Sequence, residues 1–518
     1  MRSAVTARHG ESRQKSELIY GALARSPIRA WPIASIVFGA TISLLNFATI
    51  DSAAALPSFA RQTGQSCGAC HTDFPGLTPF GRQFKMGGYT MGGGNYRTTI
   101  FPTGDDSVKA LADYAKKDGK ATDDKAKDGD SAKTIVGDGG TGDKWVPPIA
   151  AMAVFGYTHT QAPQDNAPYN DNDNWTIPQI SLFWGGAITE HVGAFSQWTF
   201  DGRSTWAWDN QDIRYANTAT LGGMDVTYGI SGDNNPTMGD PWNTVPAWGF
   251  PYMSSNLAPD PGVSTLIDGG LSQAVAGVGA YGFLNNLVYL QLSGYRSVDK
   301  QALGRLGAAP SSGAAVIDGV APYWRLAIEP HWGNHWLEFG TFGMSANVNR
   351  LMDDGNGGLF RTAEKDRYTD VAFDAQYQYQ GDNYWLTLRG SYIHEYQSLD
   401  ASVVNALAAN SSNTLNTFKA YASLAYGNDN RFVFSGQYFQ TLGSTDATLY
   451  AGNANFSPDV DGYEAEIAYI PFVNSQSPGY PWANVRVGAK YTYYNKFQGA
   501  TENAQDHNTF FLYAWTAM

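Results

Sequence analysis

The only two cysteines of the chain fall in one short segment, Cys67-Gly68-Ala69-Cys70-His71. In this C-x-x-C-H spacing two thiols can add to the vinyl groups of haem while the adjacent imidazole binds the iron as its proximal ligand. A zinc site would need two further ligands at matching spacing, and a thioredoxin-like pair would need a βαβ context. Neither is visible, so the pattern predicts one covalent haem c on Cys67, Cys70 and His71.

The sequence indicates the second axial ligand of the iron less clearly than the three residues of the motif. Met86 and Met91 follow the motif closely, and a thioether ligand raises the reduction potential relative to a second histidine. Met86 is therefore a candidate distal ligand, and its packing against the porphyrin is an equally open alternative. The remaining histidines of the exported part are dispersed and are predicted to be turn or interface residues: His159, His191, His331, His335, His394 and His507.

The segment that precedes the motif has the features of an export signal. Six basic residues lie in the first 30 positions, Trp31 to Ile50 carries no charge, and Ala53-Ala54-Ala55 offers a small-residue cleavage site. We predict a secretory signal peptide over residues 1–55. An uncleaved transmembrane anchor is the alternative, since about 20 apolar residues can span a bilayer.

Composition excludes several classes of protein. Charged residues make up 16% of the 518 positions, well below the roughly 25% of an ordinary soluble protein, whereas glycine and aromatic residues are abundant. The formal net charge is −13 and no cluster of Lys and Arg is present, which argues against nucleic acid as a partner.

Downstream of the motif the apolar residues alternate with polar ones, which is the period of a β-strand with two different faces. Such segments begin near Pro147, number about sixteen, and are joined by alternating short and long connections, as in outer-membrane barrels. A soluble β-sandwich or propeller would also alternate, but the export signal, the aromatic content and the loop lengths favour the barrel. The long connection at 470–482 does not fit the alternation.

Several charged residues occupy the polar faces of these strands, where they would line or fill the lumen. They are Arg325, Glu329, Arg389, Glu395, Glu464, Glu466, Arg486 and Lys490.

Four regions follow from these patterns. They are a signal peptide over 1–55, a monohaem cytochrome c module over 56–102, a charged flexible linker over 103–145 and a porin-like barrel over 146–518. The predicted fold is all-β, an antiparallel outer-membrane barrel of about 16 strands with a small N-terminal haem module. That module is too small to be stable without help, so we expect it to rest in or at the mouth of the lumen.

Residues 55–90 resemble a known family. Phe59-Ala60-Arg61-Gln62-Thr63-Gly64, the haem motif, Pro79-Phe80-Gly81-Arg82 and Gly88-Tyr89-Thr90 are similar to the signature of fused monohaem cytochrome–porins, the outer-membrane iron oxidases of iron-oxidising bacteria. Met86 stands where that family has leucine.

The resemblance implies an outer-membrane electron-transfer protein. It would accept electrons from extracellular Fe(II) through a single haem and pass them to a periplasmic c-type cytochrome or a similar carrier. Two alternatives remain open at this stage: a porin whose haem is structural or sensory, and an electron conduit for another extracellular donor or acceptor. No acid–base residue is predicted to be catalytic.

Overall fold

The computed structural model describes residues 56–90, 148–163, 172–202, 205–427 and 430–518. The predicted signal peptide, the charged linker and the last part of the predicted haem module, residues 91–102, lie outside the described residues. Within the described ranges, no helix has the length and apolar character needed to cross a bilayer.

The alternating segments form a closed barrel. Among the described residues, sixteen long strands pair antiparallel with their neighbours, and the last strand pairs with the first from Met152↔Ala517 to Thr160↔Thr509. The strands are β1 Ile149–Thr160, β2 Asp173–Ala187, β3 Val192–Phe200, β4 Trp206–Leu221, β5 Met224–Asp233, β6 Val275–Leu284, β7 Val288–Ser297, β8 Ala321–Ile328, β9 His335–Asp353, β10 Asp366–Gln380, β11 Tyr384–Ser398, β12 Ser412–Tyr426, β13 Phe432–Gly443, β14 Val460–Tyr469, β15 Asn484–Lys496 and β16 Thr509–Ala517. The prediction of an antiparallel barrel of about 16 strands is confirmed.

Short elements decorate the barrel. Three brief strands extend its loops and turns, at Ala315–Ile317, His331–Trp332 and Leu359–Arg361. Helices outside the N-terminal segment are Lys300–Arg305 and Asp400–Val404, with single turns at Pro246–Trp248, Leu266–Gly270, Ala454–Phe456 and Ala504–His507.

Alternation along each strand sorts side chains between the two faces. On β10, Phe373 is 59% exposed on the outer face while its neighbour Asp374 is 6% exposed on the inner one. The same holds on β14, where Ile467 points outward and Glu466 inward. All eight charged residues predicted for the lumen are buried, which confirms their inward orientation.

Connections differ between the two ends of the barrel. Tight turns such as 222–223, 285–287 and 381–383 close one end, and long loops such as 298–320, 399–411 and 444–459 close the other. The turn 470–483 is the long exception at the short-turn end. It is explained by its contacts: Ile470 and Val473 are buried in a cluster that also receives Phe74, and Val473 accepts a hydrogen bond from the Gly68 amide at 3.2 Å.

One loop departs from the sequence prediction. The alternation of short and long connections predicts a long loop outside the barrel over 232–270. The structure has this connection at residues 234–274, which we call the inner loop. Instead the loop folds into the lumen and buries Trp242, Val245, Phe250 and Ile267. The difference has a physical reason. These apolar side chains stand among Gly, Asn and Pro residues, and their burial is more favourable in free energy than their exposure to water.

Residues 56–90 lie against the inner wall. They form three short helices, α1 Pro57–Thr63, α2 Cys67–Cys70 and α3 Pro79–Met86. Gly64, with φ +68, ends α1, and the Thr78 hydroxyl caps α3 by accepting a hydrogen bond from the Gly81 amide at 3.1 Å.

Hydrogen bonds tie this segment to the short-turn end of the barrel. Gln62 Nε2 donates to the Gly185 carbonyl at 3.0 Å, near the turn after β2, and Gln83 Nε2 donates to Asn286 in the turn after β6 at 3.1 Å. Gln378 Nε2 of β10 donates to the Leu77 carbonyl at 3.0 Å. The segment therefore contacts the wall on several sides.

A candidate haem site inside the barrel

A cavity of about 450 Å³ opens between residues 56–90, the inner loop and the barrel wall. Its volume lies within the range of roughly 300–1,000 Å³ that is usual for cofactor and ligand sites. Cys67, Cys70 and His71 all line it, so the structure brings the three residues of the motif to one space. The rest of the lining is mainly apolar and aromatic, from Phe59, Phe74, Phe80, Phe84, Phe183, Phe195, Trp248 and Trp515.

The chemistry of the motif residues fits covalent haem better than a metal ion held by thiolates. Both cysteines are free of a disulfide, and burial raises the pKa of Cys67 to about 11 and that of Cys70 to about 12. Burial thus favours the neutral thiol over the thiolate at both positions. Within the described residues no group of three or more His, Cys, Asp and Glu side chains is arranged to hold a metal ion.

His71 is suited to be an axial ligand. Burial lowers its pKa to about 4, which keeps the imidazole neutral. Its Nδ1 lies 3.3 Å from the Pro75 carbonyl, and a hydrogen bond donated there leaves the lone pair of Nε2 free. Such a partner on the other ring nitrogen is the usual way in which proteins orient a ligating histidine.

Asp73 fixes the segment after the motif to the wall. Its carboxylate accepts hydrogen bonds from Thr72 Oγ1 at 2.7 Å and from the Tyr421 hydroxyl of β12. Burial by itself raises the pKa of Asp73, but Arg389, Tyr421, Thr72 and Arg486 lower it overall. The side chain is thus an anion in a cationic pocket. The sequence gives no sign of this role, because Arg389, Tyr421 and Arg486 all lie more than 300 positions away.

Lys85 anchors the other side of the cavity. Its ammonium donates to the carbonyls of Met238 at 2.9 Å and Asp240 at 2.6 Å in the inner loop, and it lies 4.6 Å from the centre of the Trp248 ring. Burial lowers the pKa of Lys85 to about 7. These contacts join α3 to the inner loop.

Met86, the candidate distal ligand, does not line the cavity. Its side chain is 1% exposed and packs in a separate cluster with Trp242, Tyr281, Phe283 and Tyr289. Met91 lies outside the described residues. His159 does not line the cavity either. Its Nδ1 pairs with Asp173 at 2.8 Å, at the long-loop end of the barrel.

Gly81 sets how closely α3 approaches the helix of the motif. A Cβ at this position would lie 2.2 Å from the Cys70 carbonyl oxygen and 3.1 Å from the Leu77 side chain. We expect Gly81→Ala to push α3 away from α2, at a cost of about 1–3 kcal/mol for overpacking. The measurable result is a lower haem-to-protein ratio in the purified protein.

Gly304→Ala is the matched control for that variant. Gly304 lies in the helix Lys300–Arg305, and a Cβ there would meet nothing within 4 Å. Its haem content should equal that of the wild type. An unchanged ratio in Gly81→Ala as well would show that the close packing of α3 on α2 does not matter for the site.

Comparisons with known proteins bear on the barrel alone. No protein-family model matches the chain, and no curated protein matches it. Among solved structures, OprB of Pseudomonas putida is similar at 11% identity, over 71% of this chain and 92% of that one, with a TM-score of 0.43. The channel DcaP of Acinetobacter baumannii is similar at 11% identity over 71% and 96% of the two chains, with a TM-score of 0.39. OmpF of Salmonella typhi follows at 13% identity, 71% and 97% coverage and a TM-score of 0.35.

Proposed function

We propose that the chain is an outer-membrane c-type cytochrome that takes electrons from extracellular Fe(II) and passes them to a periplasmic cytochrome. The observation that carries this proposal is the cavity into which Cys67, Cys70 and His71 all project, among apolar side chains, inside a barrel. The similarity of residues 55–90 to the cytochrome–porin signature supports Fe(II) as the donor.

Each residue of the motif has a distinct role in holding the group. Cys67 and Cys70 would hold haem through two thioethers, each formed by addition of an S–H bond across a vinyl group with no leaving group. His71 would hold the iron through its imidazole, and Asp73 with Arg389 keeps the following segment on the wall. When bound, haem c supplies a one-electron redox centre. Each Fe(II) loses one electron to become Fe(III), and one molecule of the periplasmic carrier gains it.

The outer surface of the barrel supports a place in the outer membrane. Large apolar side chains are exposed on the outer face of many strands, including Ile230, Val278, Leu292, Phe339, Phe373 and Ile467. Lipid is the partner that such a belt requires, because an outer-membrane barrel carries an apolar band about 25 Å tall. Short turns face the periplasm in these barrels, and the contacts of residues 56–90 with the short-turn end support a periplasmic position for this segment.

Phe373→Lys tests the lipid-facing belt. Phe373 is 59% exposed at the middle of β10, and a lysine on the lipid face near the bilayer midplane costs about 2–4 kcal/mol. We expect less folded barrel after refolding into lipid vesicles, measured by the heat-dependent shift in gel mobility. Val404→Lys, at the 67% exposed last residue of the short helix Asp400–Val404, is the control and should refold like the wild type. Equal refolding of both variants would argue against a lipid contact at Phe373.

The interior favours electron transfer over free diffusion of solutes. Residues 56–90 and the inner loop both occupy the lumen, and they are joined by Lys85. Arg82 pairs with Glu329 at 2.8 Å, and Arg325 pairs with Asp240 of the inner loop at 2.7 Å, with all four side chains almost fully buried. Where residues 56–90 meet the inner loop, the described residues therefore fill the lumen with protein.

Anaerobic mixing of Fe(II) with the detergent-purified ferric protein tests the function. Fast conversion of the haem absorption bands to the ferrous form is expected, and Cys67→Ala should lack the full response. If the bands stay ferric with Fe(II) while dithionite reduces them readily, Fe(II) is not the donor. Reduction by an electrode or by an organic chelate of iron would then assign the chain to another donor.

A further inference from the structure

The cavity wall contains two thioether side chains that the sequence does not associate with the motif. They are Met152 of β1, 6% exposed, and Met253 of the inner loop, 5% exposed. Both belong to one hydrophobic cluster, which Phe74 also contacts. The Phe74 ring lies 4.7 Å from the ring of His71, so this cluster adjoins the proximal imidazole.

The other side chains of the wall that could bind iron already have polar partners. The Lys85 ammonium donates to two carbonyls of the inner loop. The Tyr89 hydroxyl donates to Asp212, and the Tyr252 hydroxyl accepts a hydrogen bond from Arg389. A buried thioether needs no hydrogen-bond partner, because its sulfur is only a weak acceptor. The same sulfur binds iron readily.

The inner loop presents a continuous face to the cavity. Residues 246–249 and 251–253 all line it. Tyr252 lies 3.5 Å from Asp73, two residues after His71, which fixes this face relative to the motif. Met152, in contrast, sits on a strand whose backbone pairs on both sides, with Ser181 and with Ala517. Its position is set by the barrel wall and not by the segment that carries the motif.

We propose that Met253 supplies the second axial ligand of the haem iron, in place of Met86. This inference rests on the proposed covalent haem. It makes the inner loop part of the redox site, because a thioether ligand raises the reduction potential and the loop then holds that ligand.

The test compares three conservative variants in the full-length, haem-loaded protein. Met253→Leu, Met152→Leu and Met86→Leu keep side-chain volume and remove sulfur. The readouts are the weak far-red sulfur-to-iron charge-transfer band of the ferric protein, the midpoint potential and the rate of carbon monoxide binding to the ferrous protein. We expect Met253→Leu to lose the band, lower the potential and bind carbon monoxide fast, while Met152→Leu keeps the band and Met86→Leu behaves like the wild type.

A further variant keeps the test decisive if Met253→Leu folds poorly. Met253→His offers a new ligand at the same position, and we expect a six-coordinate, low-spin spectrum with a lower potential. Retention of the band in Met253→Leu, its loss only in Met152→Leu or Met86→Leu, or its absence from the wild type would each overturn the proposal. Band loss in Met253→Leu in a protein that Fe(II) does not reduce would uphold the ligand and reject Fe(II) as donor. A wild type without haem would reject both.

Discussion

The double variant Cys67→Ala/Cys70→Ala is expected to fold as a barrel and to carry no covalent haem. Both thiols line the cavity, and among the 518 residues no other cysteine could form a thioether. The barrel should persist because its closure depends on strand pairing that does not involve the motif. Haem staining of a denaturing gel should be lost completely, while the heat-dependent mobility shift of the folded barrel should remain.

His71→Ala separates attachment from ligation. The two thiols are intact in this variant, so some haem should stay on the denatured chain, but the absorption spectrum should change because the proximal ligand is gone. Haem stain in the double cysteine variant would contradict attachment through Cys67 and Cys70. Loss of the mobility shift in that variant would instead show that the barrel requires the two thiols, or the haem attached to them, in order to fold.

The strands could be predicted from the sequence because the two faces of each strand meet different surroundings. Outward positions face an apolar medium and inward positions face a packed polar interior, so strands such as β14 show a period of two residues. On β15, Val487 and Tyr491 lie outside while Arg486 and Lys490 lie inside. One pattern therefore fixed both the element and the face, and it identified the charged lumen residues correctly.

The inner loop could not be predicted in the same way. Its position depends on single contacts with distant strands, and none of them leaves a periodic signal. The amide of Ile267 donates to Asp370 at 2.8 Å, and Asp268 pairs with Lys419 at 2.9 Å. Loop composition indicated a turn-rich segment, whereas the buried Trp242 and Phe250 are the residues that reveal where it lies.

The candidate haem site could likewise be predicted only in part. Local spacing was enough to single out Cys67, Cys70 and His71 as candidates, since all three lie within five consecutive residues. The remainder of the cavity comes from other residues of 56–90, from β1, β2, β3, β4 and β16, and from the inner loop, and only the fold brings these together. Met86 is close to the motif in sequence, yet the barrel wall captures its side chain in another cluster.

Arg325→Met is expected to destabilise the protein strongly and to loosen the inner loop. The guanidinium lies 2.7 Å from Asp240, 3.1 Å from Glu338 and 2.7 Å from Asp374, and all four side chains are buried. Its removal leaves three carboxylates without their cation, and breaking a buried pair costs about 3–5 kcal/mol. Asp240 belongs to the inner loop, so the loop loses one of its attachments to β8. Unfolding in denaturant, followed by the mobility shift, measures the loss, and planar-bilayer conductance should rise as the lumen opens.

Lys365→Met is the control, because its partner Asp318 is also exposed and a surface pair contributes about 0–1 kcal/mol. Arg325→Lys should fall between the two, since an ammonium keeps the charge but cannot bridge three carboxylates as the planar guanidinium does. A small loss in Arg325→Met, equal to that of the control, would mean that the carboxylates become protonated and hold one another by hydrogen bonds. The inner loop would then be fixed by its apolar residues, and conductance should stay at the wild-type level. A large loss with raised conductance would instead show that one arginine keeps the loop inside the barrel, and with it the cavity face that carries Met253.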